Sequence, residues 1–541
     1  MGSAQEIALR LTPLKDVYYT HDTTFDFNPK GHRETNYVLL GIAFLILFIA
    51  GINFTNLTTS LIPLRLKTIN THRVLGCSIY KLRAISLIES IVICLISYIL
   101  ALFIVNDLSY TPIANWVDAD IRLSQYKGLI LLTALIAILT GCLAGLYPAI
   151  RSTSYAPALV LKGSFGLSPK GKKVRVALIG FQYTVSIALI IVTLFMGLQN
   201  HFMTSSEQLG FNKDQVAIVN LTPEIYAKHK PQYIQKLKDY PGIEDVAFSV
   251  YELSKEDDMI DLEYARHEDK DVFFKVFYAS ENFLSVMDIQ VEEGRDFTRE
   301  DLNKAQSDYI INPAAERDFH LHPGDRFNDR TVLGVSKDFR FNSCRIASSP
   351  FVFALNNDIP NPKLVSYIRF NSKTNLQEAV AHVRETLKEI DPTFPFEISF
   401  YNTILNNLYQ KEQTLGKLIS LFGIMAILIS IVGVFGLVLF ETQYRRKEIG
   451  IRKINGATTG QILLMFNKTY IRIVSVCFII SIPIAWMGTQ QWLENFAYKT
   501  PLHLWVFIVA FLIILSVTIG TVTFRNWQAA NENPVNSVKS E

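Results

Sequence analysis

The sequence predicts a multi-pass α-helical membrane protein with about seven transmembrane helices and an extracytoplasmic α+β domain inserted between the fourth and the fifth. Hydrophobic residues occupy 49% of its 541 positions. A helix needs roughly 20 apolar residues to cross about 30 Å of hydrocarbon. The stretches that meet this condition are 37–59, 85–105, 129–150, 177–199, 418–440, 470–490 and 504–524.

The charges between these stretches predict their orientation. Loops 60–84 and 151–176 contain lysines and arginines but no acidic residue, and loop 441–468 is also rich in basic residues. Segment 106–128 carries acidic residues instead. Because cytoplasmic loops carry the excess of basic residues, we expect these three basic loops and the C-terminus inside. The N-terminus and residues 200–415 are then expected outside.

Residues 205–412 have the composition of a folded, water-exposed domain. Asn375, with Glu378 three residues later, predicts the start of an amphipathic helix. Residues 403–417 predict a helical stalk that runs into the fifth span. Alternating apolar runs predict strands at 216–221, 273–277 and 365–370. Apolar residues at the helical period of 3.6 predict helices at 229–239 and 375–390.

Two parts of the chain repeat each other about 380 residues apart. A second echo places Ala156 and Pro157 against Asn533 and Pro534. The repeat predicts that two copies of one membrane unit are fused in this chain. The matched pairs around the basic loops are Arg65 with Arg445, Lys67 with Lys447, Ile69 with Ile449, Arg73 with Lys453, Gly76 with Gly456 and Ser78 with Thr458.

The basic loop after the fifth span has a local structure that can be predicted. Residues 443–453 favour a short helix at the membrane surface, with Ile449 and Ile451 available for packing. Asn455 and Gly456 form a turn signal. Thr458 followed by Gln461 predicts a capping box that begins the next helix.

The order of spans, external domain and basic loop resembles the FtsX-like permeases of MacB-type ABC transporters. The external run 332–339 is similar to the periplasmic core domain of double-unit members, especially those of Bacteroidetes. The resemblance implies a bacterial inner-membrane protein with a MacB-like periplasmic core. It divides the chain into an ectodomain remnant at 1–36, a first membrane unit at 37–163, a basic linker at 164–176, a span at 177–199, the periplasmic core at 200–415 and a second membrane unit at 416–541.

The start of the chain departs from this pattern. A complete first unit would need its own first span and ectodomain before residue 1. Residues 1–36 contain no apolar core of a signal peptide. We therefore expect a truncated or split permease, or a start that lies upstream.

The resemblance assigns the second basic loop a role in coupling to an ATPase. In the first copy, Thr68 stands at the position of Glu448, Asn70 at that of Gly450 and Lys81 at that of Gln461, so we expect a degenerate coupling loop there. The residues that match the coupling pattern are Arg446, Lys447, Glu448, Gly450, Arg452, Lys453, Gly456 and Ala457, and those of the degenerate copy are Arg65, Lys67, Arg73 and Gly76.

The sequence offers no convincing catalytic, nucleotide or metal site. Residues 166–173 fit a phosphate loop but lack the Ser or Thr that would hold magnesium. The five cysteines have no zinc or disulfide spacing. We therefore expect no enzyme activity, no cofactor and no nucleic-acid partner, with ATP hydrolysis in a separate subunit.

Small residues recur at spacing four in the third span. Ala137, Gly141 and Gly145 would let this span approach another helix closely. Glu89 and Arg472 are charged residues within spans, but they lie near the predicted cytoplasmic end, where long side chains reach the interface. The spans contain no row of polar residues, so the sequence does not predict a hydrophilic pore.

The resemblance implies a permease subunit that transmits ATP hydrolysis to its periplasmic domain for export or for lipid or lipoprotein extraction. The expected partners are an ABC ATPase, membrane lipids, a second permease in a homodimer or heterodimer, and a periplasmic adaptor. Two alternatives stay open. One is a non-transporting regulator of an envelope hydrolase or a ligand sensor, and the other is an inactive truncated paralogue.

Overall fold

The chain forms two compact units. Unit 1 contains residues 1–196, 414–490 and 502–541, and unit 2 contains residues 197–413 and 491–501. The computed structural model describes residues 12–19, 33–111, 114, 122–154, 169–205, 209–254, 261–267, 270–304, 306–355 and 364–531.

Several predicted regions lie partly outside the described residues. Of the predicted remnant 1–36, the structure describes a helical turn at Leu14–Val17 and a few flanking residues. The linker predicted at 164–176 is described only from Pro169, where a helix begins. The end of the predicted second membrane unit, beyond residue 531, is not among the described residues.

The first copy in unit 1 consists of long apolar helices with one short helix between the first two. The third of these helices begins at Ile79, well before the apolar run at 85, because the Ser78 side chain accepts a hydrogen bond from the backbone N–H of Lys81. The helices up to the inserted domain are α1 Arg33–Ser60, α2 Ile62–Val74, α3 Ile79–Leu108, α4 Lys127–Thr153 and α5 Pro169–Thr204.

Unit 2 contains one sheet of eleven strands among the residues described. Its main path runs β11-β1-β10-β2-β4-β9-β6-β8-β5, and β3 pairs with β4 while β7 pairs with β8. The predicted strands are confirmed within β1, β4 and β10. The strands are β1 Val216–Leu221, β2 Ile243–Ser249, β3 Asp261–His267, β4 Lys270–Ala279, β5 Val291–Gly294, β6 Tyr309–Ile311, β7 Arg326–Phe327, β8 Arg330–Ser336, β9 Phe351–Leu355, β10 Leu364–Phe370 and β11 Ile398–Phe400.

Two helices cover one face of this sheet and fix its core. Tyr233, Val383 and Leu387 from these helices are buried in a common apolar cluster with strand residues. The second of these helices has the predicted cap, since the Asn375 side chain accepts from the N–H of Gln377 and donates to Glu378. The helices of the domain are α6 Pro223–Lys238, α7 Phe283–Met287, α8 Pro313–Phe319, α9 Leu376–Ile390 and α10 Tyr401–Leu408.

The predicted stalk at 403–417 is not one continuous helix. The chain leaves helical geometry at Tyr409, between α10 and the helix of the fifth span. The buried Tyr409 hydroxyl lies 3.2 Å from the backbone nitrogen of Cys344, which donates to it. This contact holds the aromatic ring in the domain core, and the turn at Tyr409 accommodates it.

The second copy repeats the helix pattern of the first copy. Within the described part of the chain, seven helices are long and apolar enough to cross a membrane, as predicted. The fold class is therefore a multi-pass helical membrane protein with an inserted α+β domain. The helices of this copy are α11 Gln410–Tyr444, α12 Arg446–Ile454, α13 Thr459–Leu493 and α14 Leu504–Ala530.

The two copies meet inside unit 1 where α1 crosses α11. Asn53 donates to the carbonyl of Ile429, 3.2 Å away. A methyl group built on Gly433 would lie 3.1 Å from Asn53 Oδ1 and 3.1 Å from Gln182 Oε1. Asn53 and Gly433 are also equivalent positions of the repeat. Helices α1 and α11 therefore approach each other closely at equivalent positions of the repeat.

Candidate coupling loops

The second basic loop, residues 445–458, begins with the short helix α12. Arg445 leaves helical geometry between α11 and α12, and its guanidinium lies 3.0 Å from Glu441. Arg446 and Lys447 lie in the first turn of α12. Glu448 and Arg452 form an ion pair one turn apart, 2.8 Å between oxygen and nitrogen.

The helix is shorter than predicted and uses one isoleucine for packing. It starts at Arg446 rather than at residue 443, because 443 and 444 belong to α11. Ile449 and Gly450 are buried. Ile451 is 56% exposed, so of the two isoleucines only Ile449 is buried within this chain. The exposed side of α12 carries Glu448 and Arg452.

A Schellman motif ends α12, and a capping box then begins α13. The N–H of Ala457 donates to Arg452 O at 3.0 Å and that of Gly456 to Lys453 O at 3.1 Å, the pattern of a Schellman motif. Gly456 has a φ of +88°, which suits glycine. The predicted capping box is confirmed because Gln461 N–H donates to Thr458 Oγ1 at 3.3 Å and Thr458 N–H to Gln461 Oε1 at 3.1 Å.

The first basic loop, residues 61–78, has the same turn. The N–H of Cys77 donates to His72 O at 2.9 Å and that of Gly76 to Arg73 O at 3.0 Å. Gly76 has a φ of +90°. Its cap is weaker, since Ser78 accepts from Lys81 N–H at 3.4 Å but a lysine side chain has no acceptor to return the bond.

The basic residues of the first loop contact other parts of the first copy. Arg65 pairs with Glu89 at 2.8 Å, and Arg73 donates to Thr153 O at 3.2 Å. Asn70, at the position of Gly450, is buried and donates to Leu66 O. Lys67 lies on α2. The two loops therefore have the same backbone shape but present different side chains.

The small residues of α4 lie against α3 and beside a groove. A methyl group on Gly145 would lie 2.5 Å from Ser90 Oγ, and one on Gly141 would lie 3.0 Å from Ile91 Cα. Ala137 lines a neighbouring groove. The close contact at Gly141 and Gly145 is of the small-residue type found between membrane helices.

Segment 491–501, which contains none of the predicted site residues, belongs to unit 2. Phe496 is buried in the apolar core of unit 2. The backbone N–H of Tyr498 donates to Cys344 O at 3.1 Å, and its hydroxyl accepts from Ser348 N–H at 3.1 Å. The Arg340 guanidinium stacks on the Tyr498 ring at 4.1 Å. The aromatic residues in this short connection were the signal in the sequence that could have indicated its burial.

Residues from the ends of two membrane helices join the same cluster. Gln199, in α5, donates to Tyr498 O at 3.0 Å and accepts from Thr500 N–H at 2.8 Å. Glu412, in α11, pairs with Arg345 at 2.7 Å. All of these residues belong to unit 2. We name Gln199, Arg345, Glu412, Phe496 and Tyr498 the basal cluster.

Two other candidate sites have little support in the structure. Of residues 166–173, the described part from Pro169 is helical. Glu293, Glu316 and His322 bring ligand atoms within 4.8 Å of one another in unit 2. Glu293 is exposed, and His322 Nδ1 lies 3.6 Å from Glu316 Oε1, which is the arrangement of a surface ion pair.

Comparison with known proteins identifies both copies. The FtsX-like permease C-terminal family model matches residues 40–157 and 420–534. The macrolide export ATP-binding/permease protein MacB of Aggregatibacter actinomycetemcomitans is 25% identical over 212 residues, covering 37% of this chain and 32% of that protein. MacB of Neisseria gonorrhoeae is 25% identical over 223 residues, covering 39% and 34%. The chain thus spans about a third of the length of these relatives.

Solved structures also align with part of the chain. The periplasmic region of MacB from Actinobacillus actinomycetemcomitans aligns at 15% identity and a TM-score of 0.28, covering 38% of this chain and 97% of that one. A domain of a permease protein from Porphyromonas gingivalis aligns at 16% identity and a TM-score of 0.22, covering 34% and 87%. The family model matched on each copy and the sequence similarity to MacB support an FtsX/MacB-type permease.

Proposed function

We propose that this chain is a permease subunit that converts ATP hydrolysis by a separate ATPase subunit into movement of its inserted domain. The observation that carries the proposal is the construction of residues 445–458. A Schellman motif and a reciprocal capping box hold the short helix α12 against the start of α13. Such a loop transmits force because few of its backbone torsions are free.

The charges of the loop suit docking to another protein. Glu448 and Arg452 are partly exposed and form an i,i+4 pair that orders both side chains. The pair itself contributes only a few tenths of a kcal/mol to the helix. Its value in the proposal is geometric, since it presents one acidic and one basic group at fixed positions.

The basic loops determine the proposed orientation of the chain in the membrane. Both loops, with the C-terminus, lie in the cytoplasm of a bacterial inner membrane, and unit 2 lies in the periplasm. The basic side chains also attract anionic lipid head groups.

The basal cluster is the proposed receiving end of the transmission. Helix α13 begins at Thr459, directly after the capping box, and its last residues precede Phe496 and Tyr498. Gln199 and Glu412 tie the ends of α5 and α11 to the same cluster. A shift of these helices would then reach the sheet through hydrogen bonds and packed rings. Because the MacB relatives are named for export, we propose export or extraction of a substrate from the outer side, with an adaptor and a second permease as further partners.

A charge reversal in the loop tests the proposal. Glu448→Lys should leave membrane insertion and abundance near normal and should abolish stimulation of the ABC ATPase that co-purifies with the wild-type permease. The control is the double variant Glu448→Lys with Arg452→Glu. This swap restores an i,i+4 ion pair on α12 but presents the charges in reverse order to the partner.

The two variants separate docking from local helix stability. If docking is the cause, ATPase stimulation stays absent in the double variant. Recovery in the double variant would show that only helix stability had been lost, and it would count against docking at Glu448. Thr68→Lys, in the first loop, should have a much milder effect, because that position has no carboxylate to lose. Equal loss from Thr68→Lys would indicate two equivalent docking loops.

A further inference from the structure

The first copy has a cavity at the level of its basic loop. The cavity has a volume of about 820 Å³ and is bounded by α1, α2, α3 and α4. Along α3 its lining extends from Lys81 to Ile93. This is a length of about 18 Å at the helical rise of roughly 1.5 Å per residue. One leaflet of a bilayer contributes about half of the roughly 30 Å hydrocarbon core, so the cavity is long enough for an acyl chain and the start of a head group.

The two ends of this cavity differ in chemistry. Apolar side chains such as Phe54 line the end away from the basic loop. Arg65, His72 and Lys81 line the other end, and all three are exposed. The lining also contains Glu89, which pairs with Arg65 at 2.8 Å. The polar end therefore carries more basic than acidic groups, and the opposite end is apolar.

Two aromatic rings take the place of small side chains in the second copy. With the displacement of about 380 residues, Ser86 and Ser90 correspond to Phe466 and Tyr470. Both serines line the cavity, whereas both rings are buried. Replacing a large buried side chain by a small one leaves a cavity unless the neighbouring groups move in. The cavity thus follows from the residues that the first copy has on α3.

The contacts of the two rings show which space they fill. The Arg445 guanidinium lies 5.8 Å from the centre of the Phe466 ring. The Tyr470 hydroxyl donates to Glu441 at 3.3 Å. Arg65, the counterpart of Arg445, lines the cavity instead. The rings therefore pack between α13 and the end of α11, beside the second basic loop.

The cavity is separate from the positions that α5 contacts in the second copy. Helix α5 reaches Cys477 in α13 and Thr518 in α14. Their counterparts in the repeat are Ser97 and Gly141. Neither of these residues lines the cavity. The comparison of serines with aromatic rings therefore concerns side chains on α3 and α13, not the place of another helix.

We propose that this cavity binds one acidic phospholipid, with its phosphate at the basic end and an acyl chain in the apolar end. Hydrogen bonds from charged donors such as Arg65 and Lys81 to a phosphate are stronger than bonds between neutral groups. A zwitterionic lipid carries a cation of its own and gains less from this end. The apolar end favours a lipid over a soluble phosphate, because buried methylene groups supply most of the binding energy. The site does not depend on coupling to an ATPase.

Native mass spectrometry of the purified, delipidated full chain in detergent tests the proposal. The chain is titrated separately with dioleoyl phosphatidylglycerol, with dioleoyl phosphatidylcholine and with glycerol phosphate. We expect one phosphatidylglycerol molecule to bind at least about fivefold more tightly than phosphatidylcholine, which is the ratio that one basic group near a lipid surface provides. Glycerol phosphate, which has no acyl chain, should not bind at the same concentrations.

A cavity-filling variant can be taken from the second copy. Ser86→Phe introduces the residue found at Phe466 and should weaken phosphatidylglycerol binding by about tenfold, since displacing about two buried methylene groups already gives that ratio. Ile88→Phe is the matched control, because Ile88 is exposed on α3 outside the cavity lining. It should leave binding unchanged. Ser86→Leu is a smaller filling variant for the case in which Ser86→Phe does not fold, as judged by gel filtration.

A charge variant tests the basic end. Lys81→Gln introduces the residue found at Gln461, whose amide completes a capping box, so we expect this variant to fold. It should weaken phosphatidylglycerol binding about fivefold and leave phosphatidylcholine binding unchanged. Lys127→Gln removes the same charge from an exposed position at the start of α4, outside the cavity lining, and should change neither.

Three outcomes would overturn the proposal. The first is equal affinity of the wild type for the two phospholipids, which would make the cavity part of an unselective lipid surface. The second is binding of phosphatidylglycerol that survives both filling variants at Ser86, or that Ile88→Phe weakens equally. The third is binding of glycerol phosphate as tight as that of phosphatidylglycerol, which would indicate a site for a soluble anion.

Discussion

Asp301 is the most strongly paired carboxylate described in unit 2. Arg295 binds both of its oxygens, at 2.7 and 2.8 Å, and Thr298 and Lys304 donate further hydrogen bonds. The Asp301 side chain is only 3% exposed. The Arg295 guanidinium therefore holds the pKa of Asp301 well below its usual range, although burial acts in the opposite direction.

This ion cluster makes the stability of unit 2 depend on acid pH. A lowered pKa in the folded state stabilises the fold above the unfolded pKa of about 4, and this contribution is lost progressively as the pH falls below that value. Asp301→Asn should lower the melting temperature at neutral pH and flatten its decline between about pH 5 and pH 2. Asp318→Asn, at an exposed ion pair, is the control. Parallel declines in the wild type and in Asp301→Asn, measured by thermal unfolding of the whole protein in detergent, would contradict this account.

At the scale of an element, the two basic loops offer a matched pair of glycines. Gly76 and Gly456 have nearly the same positive φ, and neither has a neighbouring atom within 4 Å of a built methyl group. A side chain added at either position would therefore meet no steric clash. The remaining cost of a substitution is the strain of placing an L-residue in this left-handed backbone conformation. That strain costs about 1–2 kcal/mol for an L-residue in the left-handed region.

Alanine at either glycine should therefore lower stability by a similar small amount, about 1–2 kcal/mol. Only Gly456→Ala should also reduce ATPase stimulation, because only that loop carries the Glu448–Arg452 pair. Gly456→Asn should restore much of both properties, since asparagine tolerates this conformation. Thermal unfolding and ATPase rates of the co-purified complex measure the two effects. A loss of stimulation in Gly76→Ala as large as in Gly456→Ala would assign coupling to both loops.

The elements that could be predicted are those whose signal is local. Apolar length predicted the seven spans, and the Thr458 and Gln461 pair predicted the capping box. The break at Tyr409 and the burial of Phe496 could not be predicted, because both depend on contacts with strands and loops far away in sequence. The parallel pairing of β4 with β9 likewise joins segments with no local signal for each other.

At the scale of the whole molecule, the proposed orientation can be tested with single cysteines. Ser372→Cys in unit 2 should react with an impermeant thiol reagent in intact spheroplasts, and Asn455→Cys in the second basic loop should react only after lysis. Both positions are exposed. Burial raises the pKa of the native Cys344 thiol, so its background reaction should be slow. Labelling of Asn455→Cys from outside would reverse the orientation.

The placement of residues 491–501 also sets an order of events during synthesis. Phe496 and Tyr498 complete the core and base of unit 2, yet ribosomes make them after the fifth and sixth spans. The sheet can form earlier, but the contacts that Arg340 and Cys344 make with Tyr498 can form only after the sixth span has been synthesised. We therefore expect final closure of unit 2 to be a late step of biogenesis, which would follow insertion of the sixth span. A protease that cleaves the incomplete domain would remove chains whose sixth span failed to insert.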